Sequence, residues 1–352
     1  MTFPGHSMSK EEIYGFIEGL RETTRDHPND VVNYSIISEL LYQAGDYEGA
    51  IAEANKALAI DPHSVEALKA RGWAHSAIND RKKSVRALSD FEIALDMSPR
   101  DATLLARISM VCYNLGDYDR AILRASESIG LDPKLRLSWR IRAWAFFQKN
   151  ELAKALADFK VLTSICPTDG LAYYFQGILH FKRAEYRESL DAFSQSLHIR
   201  PNHHEVLTQR AKANYFLQKF EDAKNDCHAA LTQQPEFYEA IIWRGNSLRR
   251  LHRQAEALED FARAIELQPR KPTAYLYRGT AYERWQQNDL AIADYTTAIE
   301  LAPPSPDLYL RRGYLFIKLE DFPRARADLD KVISLEPGNE TAKRARAQIA
   351  DR

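Results

Sequence analysis

Eight prolines keep one spacing through most of the chain: Pro99, Pro133, Pro167, Pro201, Pro235, Pro269, Pro303 and Pro337 follow one another at intervals of 34 residues. Pro28 and Pro62 are also 34 apart, and the step from Pro62 to Pro99 is 37. A fixed period in this range marks an array of like supersecondary units, each too small to bury its own apolar face and each therefore stacked on its neighbours.

If each unit is numbered so that its proline is position 32, other positions fall into register. Position 8 is small (Ser38, Gly72, Ser109, Ala143, Gly177, Ala211, Gly245, Gly279, Gly313), and so is position 20 (Ala50, Ala121, Ala155, Ser189, Ala223, Ala257, Ala291, Ala325). Large residues recur at position 4, as in Tyr34, Trp139 and Tyr275, and at position 24, as in Phe91, Phe159, Phe193, Phe261, Tyr295 and Leu329. Positions 4, 8 and 11 share one helical stripe, and positions 20, 24 and 27 share a second. The small residues let two antiparallel helices approach, and the large ones fill the space around that contact. Between them stand turns such as Gly45-Asp46-Tyr47 and Gly116-Asp117-Tyr118. Glycine there suits a left-handed helix end, and aspartate suits the cap of the next helix. The proline follows the second helix, where the chain turns back.

The unit resembles the tetratricopeptide repeat. Segments such as Ala274-Tyr-Leu-Tyr-Arg-Gly-Thr-Ala-Tyr282 and Ala291-Ile-Ala-Asp-Tyr295, closed by Pro303, carry the resemblance, which covers residues 31–338 as nine consecutive units. It implies an all-α, right-handed superhelical α-solenoid of tandem helix-turn-helix repeats. The expected organisation is a disordered head over 1–8, an N-terminal capping helix within 9–30, nine repeats over 31–338 and a solvating C-terminal helix over 339–352. Ile13, Phe16, Ile17 and Leu20 are expected on the apolar side of the first helix, and Ala342, Ala345 and Ile349 on that of the last. Unit 2 carries three extra residues within 79–96, which either lengthen the turn Asn79–Lys83 or add most of a helical turn. Units 7 and 8 have Gln254 and Asn288 in place of the turn aromatic.

Composition narrows the function. Lys and Arg number 48 against 49 Asp and Glu, a net charge of -1. A generic nucleic-acid binder would carry a basic excess, so no nucleic acid is expected as partner. The three cysteines, Cys112, Cys166 and Cys227, are too few and too far apart for a disulfide framework and fit a reducing compartment. No run approaches eighteen apolar residues, and the opening Met-Thr-Phe-Pro-Gly-His-Ser-Met-Ser has no leader pattern. A cytoplasmic protein without membrane insertion is expected. Self-association is compatible with the pattern.

No catalytic motif is present: there is no glycine-rich phosphate loop, no Gly-x-Ser-x-Gly and no His-Glu-x-x-His. The chain reads as a non-enzyme without cofactor or metal. Cys112 and Cys227 fall on core positions 11 and 24, His75 and His180 on position 11, and Cys166 beside the repeat proline reads as ordinary packing.

In the family this chain resembles, positions 2, 5, 9, 12 and 13 of the first helix line a concave groove. Carried over, these positions give a partner-binding set of Lys69, Trp73, Met110, Arg140, Trp144, Phe147, Tyr174, Phe181, Tyr215, Asn246, Arg249, Arg250 and Arg284. Aromatic, methionine and arginine side chains on one wall suit a protein or peptide partner. The position-12 aromatics have a second reading, as packing between repeats. The resemblance implies an interaction scaffold or adaptor. Two alternatives are a co-chaperone or targeting receptor for a peptide tail, and a non-catalytic regulatory subunit. The clamp by which family members hold the acidic tails of heat-shock chaperones does not fit. Lys69 stands at position 5, but Trp73 replaces the asparagine at 9, Arg107 the next unit's asparagine at 6, and Leu137 and Ile141 the third unit's cations.

Overall fold

The computed structural model describes residues 9–78 and 80–350; the head expected over 1–8 lies outside them. Among the described residues there are twenty α-helices and no strand. Helix α1 (Lys10–Asp26) precedes nine hairpins. Their first helices are α2 (Val31–Ala44), α4 (Val65–Ala77), α6 (Ala102–Leu115), α8 (Arg136–Gln148), α10 (Gly170–Lys182), α12 (His204–Phe216), α14 (Tyr238–Arg250), α16 (Pro272–Arg284) and α18 (Pro306–Lys318). The second helices are α3 (Tyr47–Ile60), α5 (Arg81–Met97), α7 (Tyr118–Leu131), α9 (Leu152–Ile165), α11 (Tyr186–Ile199), α13 (Phe220–Gln233), α15 (Gln254–Leu267), α17 (Asn288–Leu301) and α19 (Phe322–Leu335), and α20 (Glu340–Gln348) follows. Every first helix thus begins at position 1, and every second helix except α5 at position 17. The helices gather into two compact units, one reaching Phe175 and one starting at Gln176. Within each unit, substantial packing joins helices adjacent in the chain or next but one, as stacked hairpins require.

Inside a hairpin the size of position 24 is matched by that of position 8. A β-carbon added to Gly72 would lie 2.4 Å from the Phe91 ring, and one on Gly177 2.5 Å from Phe193. At Gly313 the facing residue is Leu329, and the nearest atom would be 3.3 Å away. Positions 8 and 20 approach closely enough for a side chain of one to bond the backbone of the other. Ser38 Oγ donates to the Ala50 carbonyl at 2.8 Å, and Ser189 Oγ to that of Gly177 at 2.9 Å.

A second link recurs that the sequence reading passed over. Arg at position 7 grips Asp at position 23 with two bonds in six hairpins: Arg71–Asp90, Arg142–Asp158, Arg210–Asp226, Arg244–Asp260, Arg278–Asp294 and Arg312–Asp328. The aspartates are buried, and the planar guanidinium meets both carboxylate oxygens at 2.6–2.9 Å, the strong geometry for such a pair.

The extra residues of unit 2 sit at the start of α5, which is 17 residues long where most other second helices have 14. Asp80 caps that added turn by accepting from the Lys83 N–H. At the chain's start, Ile13 and Ile17 are buried against the first hairpin, but Phe16 is 44% exposed. Phe16 lies one residue from the buried stripe, about 100° round the helix, and so turns outward. Ala342, Ala345 and Ile349 are buried as expected.

Candidate functional site

The register fixes what each first helix presents. With positions 4, 8 and 11 turned into the hairpin, positions 5, 9 and 12 form an adjoining face. The two compact units furnish that face differently.

In the first unit it is aromatic. Trp73 rests on Tyr42, ring centroids 6.3 Å apart, and Trp144 rests on Tyr113 at 6.0 Å and on Phe175 at 6.0 Å. Phe147 meets the same Phe175, and Tyr174 lies edge-on to it. Met110 is half-buried against the core that Trp73 and Trp144 also pack on. Both tryptophans are half-buried, and each has its indole Nε1 out of water without an acceptor. Lys69 and Arg140, expected to meet a partner, are already engaged. Each pairs with the last residue of its own repeat, Lys69 with Asp101 at 2.6 Å and Arg140 with Asp169 at 2.5 Å. Those carboxylates also accept from the N–H of Leu104 and Ala172, so the cations brace the entry to the next helix.

In the second unit the face is aromatic and cationic. Tyr215 contacts Trp243 at 5.3 Å, and Trp243 contacts Tyr277 at 6.2 Å. The Lys212 ammonium stands 5.3 Å from the Phe181 ring and 5.7 Å from Trp243, a cation–π arrangement. Arg250 lies over Phe220 at 4.3 Å, and Arg284 is exposed. Arg249 and Asn246, expected on an open wall, are 9% and 1% exposed. Arg249 is covered because it follows Tyr215 by one whole repeat and donates to that hydroxyl from Nη2 at 3.2 Å. Burial holds the Arg249 guanidinium below its usual pKa and the Lys212 ammonium below its own.

The position-12 aromatics stack on the position-17 aromatic of the same hairpin: Tyr113 on Tyr118, Phe181 on Tyr186 and Tyr215 on Phe220, at 5.4–5.6 Å. These contacts lie within a hairpin, whereas the packing reading placed the rings between repeats. In units 7 and 8 the pair is polar, Arg249 with Gln254 and Glu283 with Asn288. The aromatics at position 6 (Phe175, Trp243 and Tyr277) were missed. They lie at the same helical offset in three units, which was the available signal.

The thiols divide. Cys112 and Cys227 are buried, and burial pushes the Cys112 thiol up to about 11 and raises that of Cys227 well above its ordinary value. Cys166 is half-buried with its pKa lowered, by the Thr168 hydroxyl and by Arg136, whose Nη1 is 3.2 Å from the sulfur. His75 and His180 are both buried; His180 Nδ1 has Glu185 at 2.6 Å, while His75 Nδ1 has no partner. Among the described residues no helix is long and apolar enough to cross a membrane.

Stacked helical hairpins with a furnished first-helix face define a tandem-repeat protein. Tetratricopeptide repeat models match residues 33–64, 80–135, 113–170, 208–269, 244–306 and 306–339. These cover most of the chain, and it belongs to the tetratricopeptide repeat family. It is 26% identical to human tetratricopeptide repeat protein 6 over 214 residues, 51% of this chain and 41% of that protein. It is 21% identical to the bovine BBSome complex member BBS4 over 196 residues, 55% of this chain and 37% of that protein. The match thus spans well under half of either relative. Among solved structures, the APC/C hetero-tetramer Cut9-Hcn1 superposes with a TM-score of 0.56 at 12% identity, over 98% of this chain and 67% of that one. A tetratricopeptide repeat protein from Parabacteroides merdae gives 0.54 at 16% identity, over 72% and 99%. At such identities the likeness speaks to the fold. Proteins of this family generally mediate protein–protein interaction.

Proposed function

We propose that this chain is an interaction scaffold that holds an extended or helical segment of a partner protein against the 5, 9 and 12 face of its first helices. One observation carries the reading: Trp73 and Trp144 recur at the same repeat position, half-buried, each with an indole N–H that has no acceptor. A buried donor without a partner costs about 1–3 kcal/mol, and a bound backbone carbonyl would relieve that cost. Tryptophan at the centre of a patch is also the side chain that most often dominates an interface. Lys69 and Arg140 serve to hold the helices rather than to bind. Polypeptide is the class of ligand that offers apolar side chains and carbonyl acceptors together.

The test is selection from a displayed random-peptide library, followed by affinity measurement on synthetic copies of the winners. Trp144→Phe keeps a ring in the stack but removes the donor, and should weaken selected peptides about tenfold, the equivalent of ~1.4 kcal/mol. Trp144→Ala should cost more than ~2 kcal/mol of binding. Peptides indifferent to both changes, or no selection above an unrelated helical protein, would refute the reading. Loss of binding only when the peptide's free C-terminus is blocked would point to a tail receptor instead.

A further inference from the structure

The outer face of α5 has a pattern that no other second helix shares. Ala87, Phe91 and Ala94 turn into the hairpin and are wholly buried. On the opposite side Val85 is 53% exposed and Ile93 42%, at repeat positions 18 and 26. The flanking second helices carry charge there, Glu48 and Lys56 in α3 and Asp119 and Glu127 in α7, and none of the others has a large apolar residue at both positions. Ser89, small and exposed, stands midway between Val85 and Ile93 and at the midpoint of α5 itself. Lys82 and Asp96 stand seven residues either side of it. With 3.6 residues per turn, Val85 and Ile93 lie about 40° from the direction of Ser89, and Lys82 and Asp96 only about 20°. All five therefore share one exposed face. Lys82 and Asp96 have no ion-pair partner among the described residues. The extra turn of unit 2 creates this frame, since Lys82 lies within it, ahead of the position where the other second helices begin.

We propose that α5 pairs antiparallel with α5 of a second copy of this chain, the two helices crossing at Ser89. A twofold axis there brings Val85 level with Ile93 of the second copy and Lys82 level with its Asp96, and repeats both matches on the other half. The small Ser89 side chain lets the helix axes approach at the crossing. A parallel arrangement would set Lys82 against Lys82 and Asp96 against Asp96, so charge selects the antiparallel one. Single exposed apolar residues are ordinary on any protein surface. Here the apolar residues, the free charges and the helix ends are all disposed about one residue, so the face is its own complement, as an isologous contact requires. Arg120 of α7 pairs with Glu92 of α5, which sets α7 beside this face. Its Leu123, 55% exposed at the repeat position that Ser89 holds in α5, extends the apolar surface. A helix of this length, about 25 Å by about 12 Å, presents about 300 Å². A standard interface buries ~800 Å² per partner, so the pair is reversible and forms at high protein concentration. The face lies on second helices, apart from the first-helix face assigned to a partner segment, and the two readings stand or fall separately.

Sedimentation velocity of the full chain over a wide range of concentration tests the pairing. A reversible monomer–dimer equilibrium is expected. Val85→Glu should raise the dissociation constant at least about tenfold, with the melting temperature of the dilute protein unchanged because the side chain is exposed. Lys82→Glu alone and Asp96→Lys alone should each weaken the dimer about tenfold, because each sets like charges together at both ends of the contact. Mixing these two single variants should restore the dimer, now with one chain of each kind, since both ends then carry opposite charges. A chain with both substitutions should dimerise by itself. A contact elsewhere on the molecule would show no such rescue. A monomer at every concentration overturns the proposal, as does a dimer that survives Val85→Glu. Single charge variants that dimerise like the parent chain, or whose mixture stays monomeric, overturn it as well.

Discussion

The two compact units run on one register but finish it differently. In the first, Gly45 and Gly116 take up the left-handed turn between helices, with φ of 86° and 84°, and Asp46 and Asp117 cap the helices that follow, while Asn150 takes the turn at φ 60° before an α9 that has no side-chain cap. In the second, the same turn falls on Ala184, Gln218, His252, Gln286 and Glu320, with φ of 59–62°, and only Asp321 supplies a side-chain cap. The turn is nonetheless closed alike: Asp46 N–H reaches the Leu41 carbonyl, and Lys219 N–H that of Asn214, both at 2.9 Å. Hairpin geometry is thus set by the paired helices, and the turn residue follows even at a cost. The helix faces differ in parallel, with unsatisfied indoles in the first unit and unpaired cations in the second. A repeat array keeps its spacing positions and can vary everything that those positions leave at the surface.

The clasp between positions 7 and 23 is common to both units and carries the largest expected effect. Arg244→Ala would strand the Asp260 carboxylate, which is 3% exposed, and should cost about 3 kcal/mol by chemical denaturation. Asp260→Ala should cost less, because the arginine is partly exposed and can hydrate. Arg71→Ala in the first unit should match Arg244→Ala; a difference of more than about 1.4 kcal/mol, tenfold in the folding constant, would break the idea that the clasp is interchangeable.

Next in size is the fit of position 8. Gly72→Ala should destabilise by about 1–3 kcal/mol through its clash with Phe91. Gly313→Ala meets its nearest atom at 3.3 Å and should be near neutral, since alanine gains about 1 kcal/mol of helix propensity over glycine. Equal losses at the two sites would contradict the size-matching account.

Smaller effects belong to the turns. Gly45→Ala should cost about 1 kcal/mol, and Ala184→Gly should gain roughly 0.5–1 kcal/mol, because only glycine takes positive φ without strain. If both substitutions destabilise, the contrast between the units is not one of backbone strain.

The smallest effect is one of pH. Burial lowers the His75 pKa from 6.5, so the unfolded chain binds a proton before the folded one does. Stability is therefore complete above pH 6.5 and falls as pH drops toward the folded-state pKa. His75→Leu should flatten that slope in melts between neutral and mildly acid pH.

What could be read from the chain was whatever depends on period. Position 8, position 20 and the proline gave the paired helices and their order along the chain, because a spacing rule is one-dimensional. The insertion in unit 2 was ambiguous on spacing alone; Asp80, capping a helix that starts one turn before its core stripe, settles it. The Arg–Asp clasp was legible in principle, since its partners stand 16 apart in five hairpins, but no hydrophobic pattern points to it. Lys69, Arg140 and Arg249 were expected to be open because helical position gives direction and not company. Asp101, Asp169 and Tyr215, which occupy those cations, lie 29 to 34 residues away in the chain.

The central claim is that partners lie on the first helices. Backbone hydrogen exchange with a saturating selected peptide tests it most directly. The account predicts slowed exchange confined to first helices, α4, α6 and α8 or α12, α14 and α16, with α5, α7, α13 and α15 unchanged. Protection concentrated on those second helices, with the first helices unaltered, would contradict it.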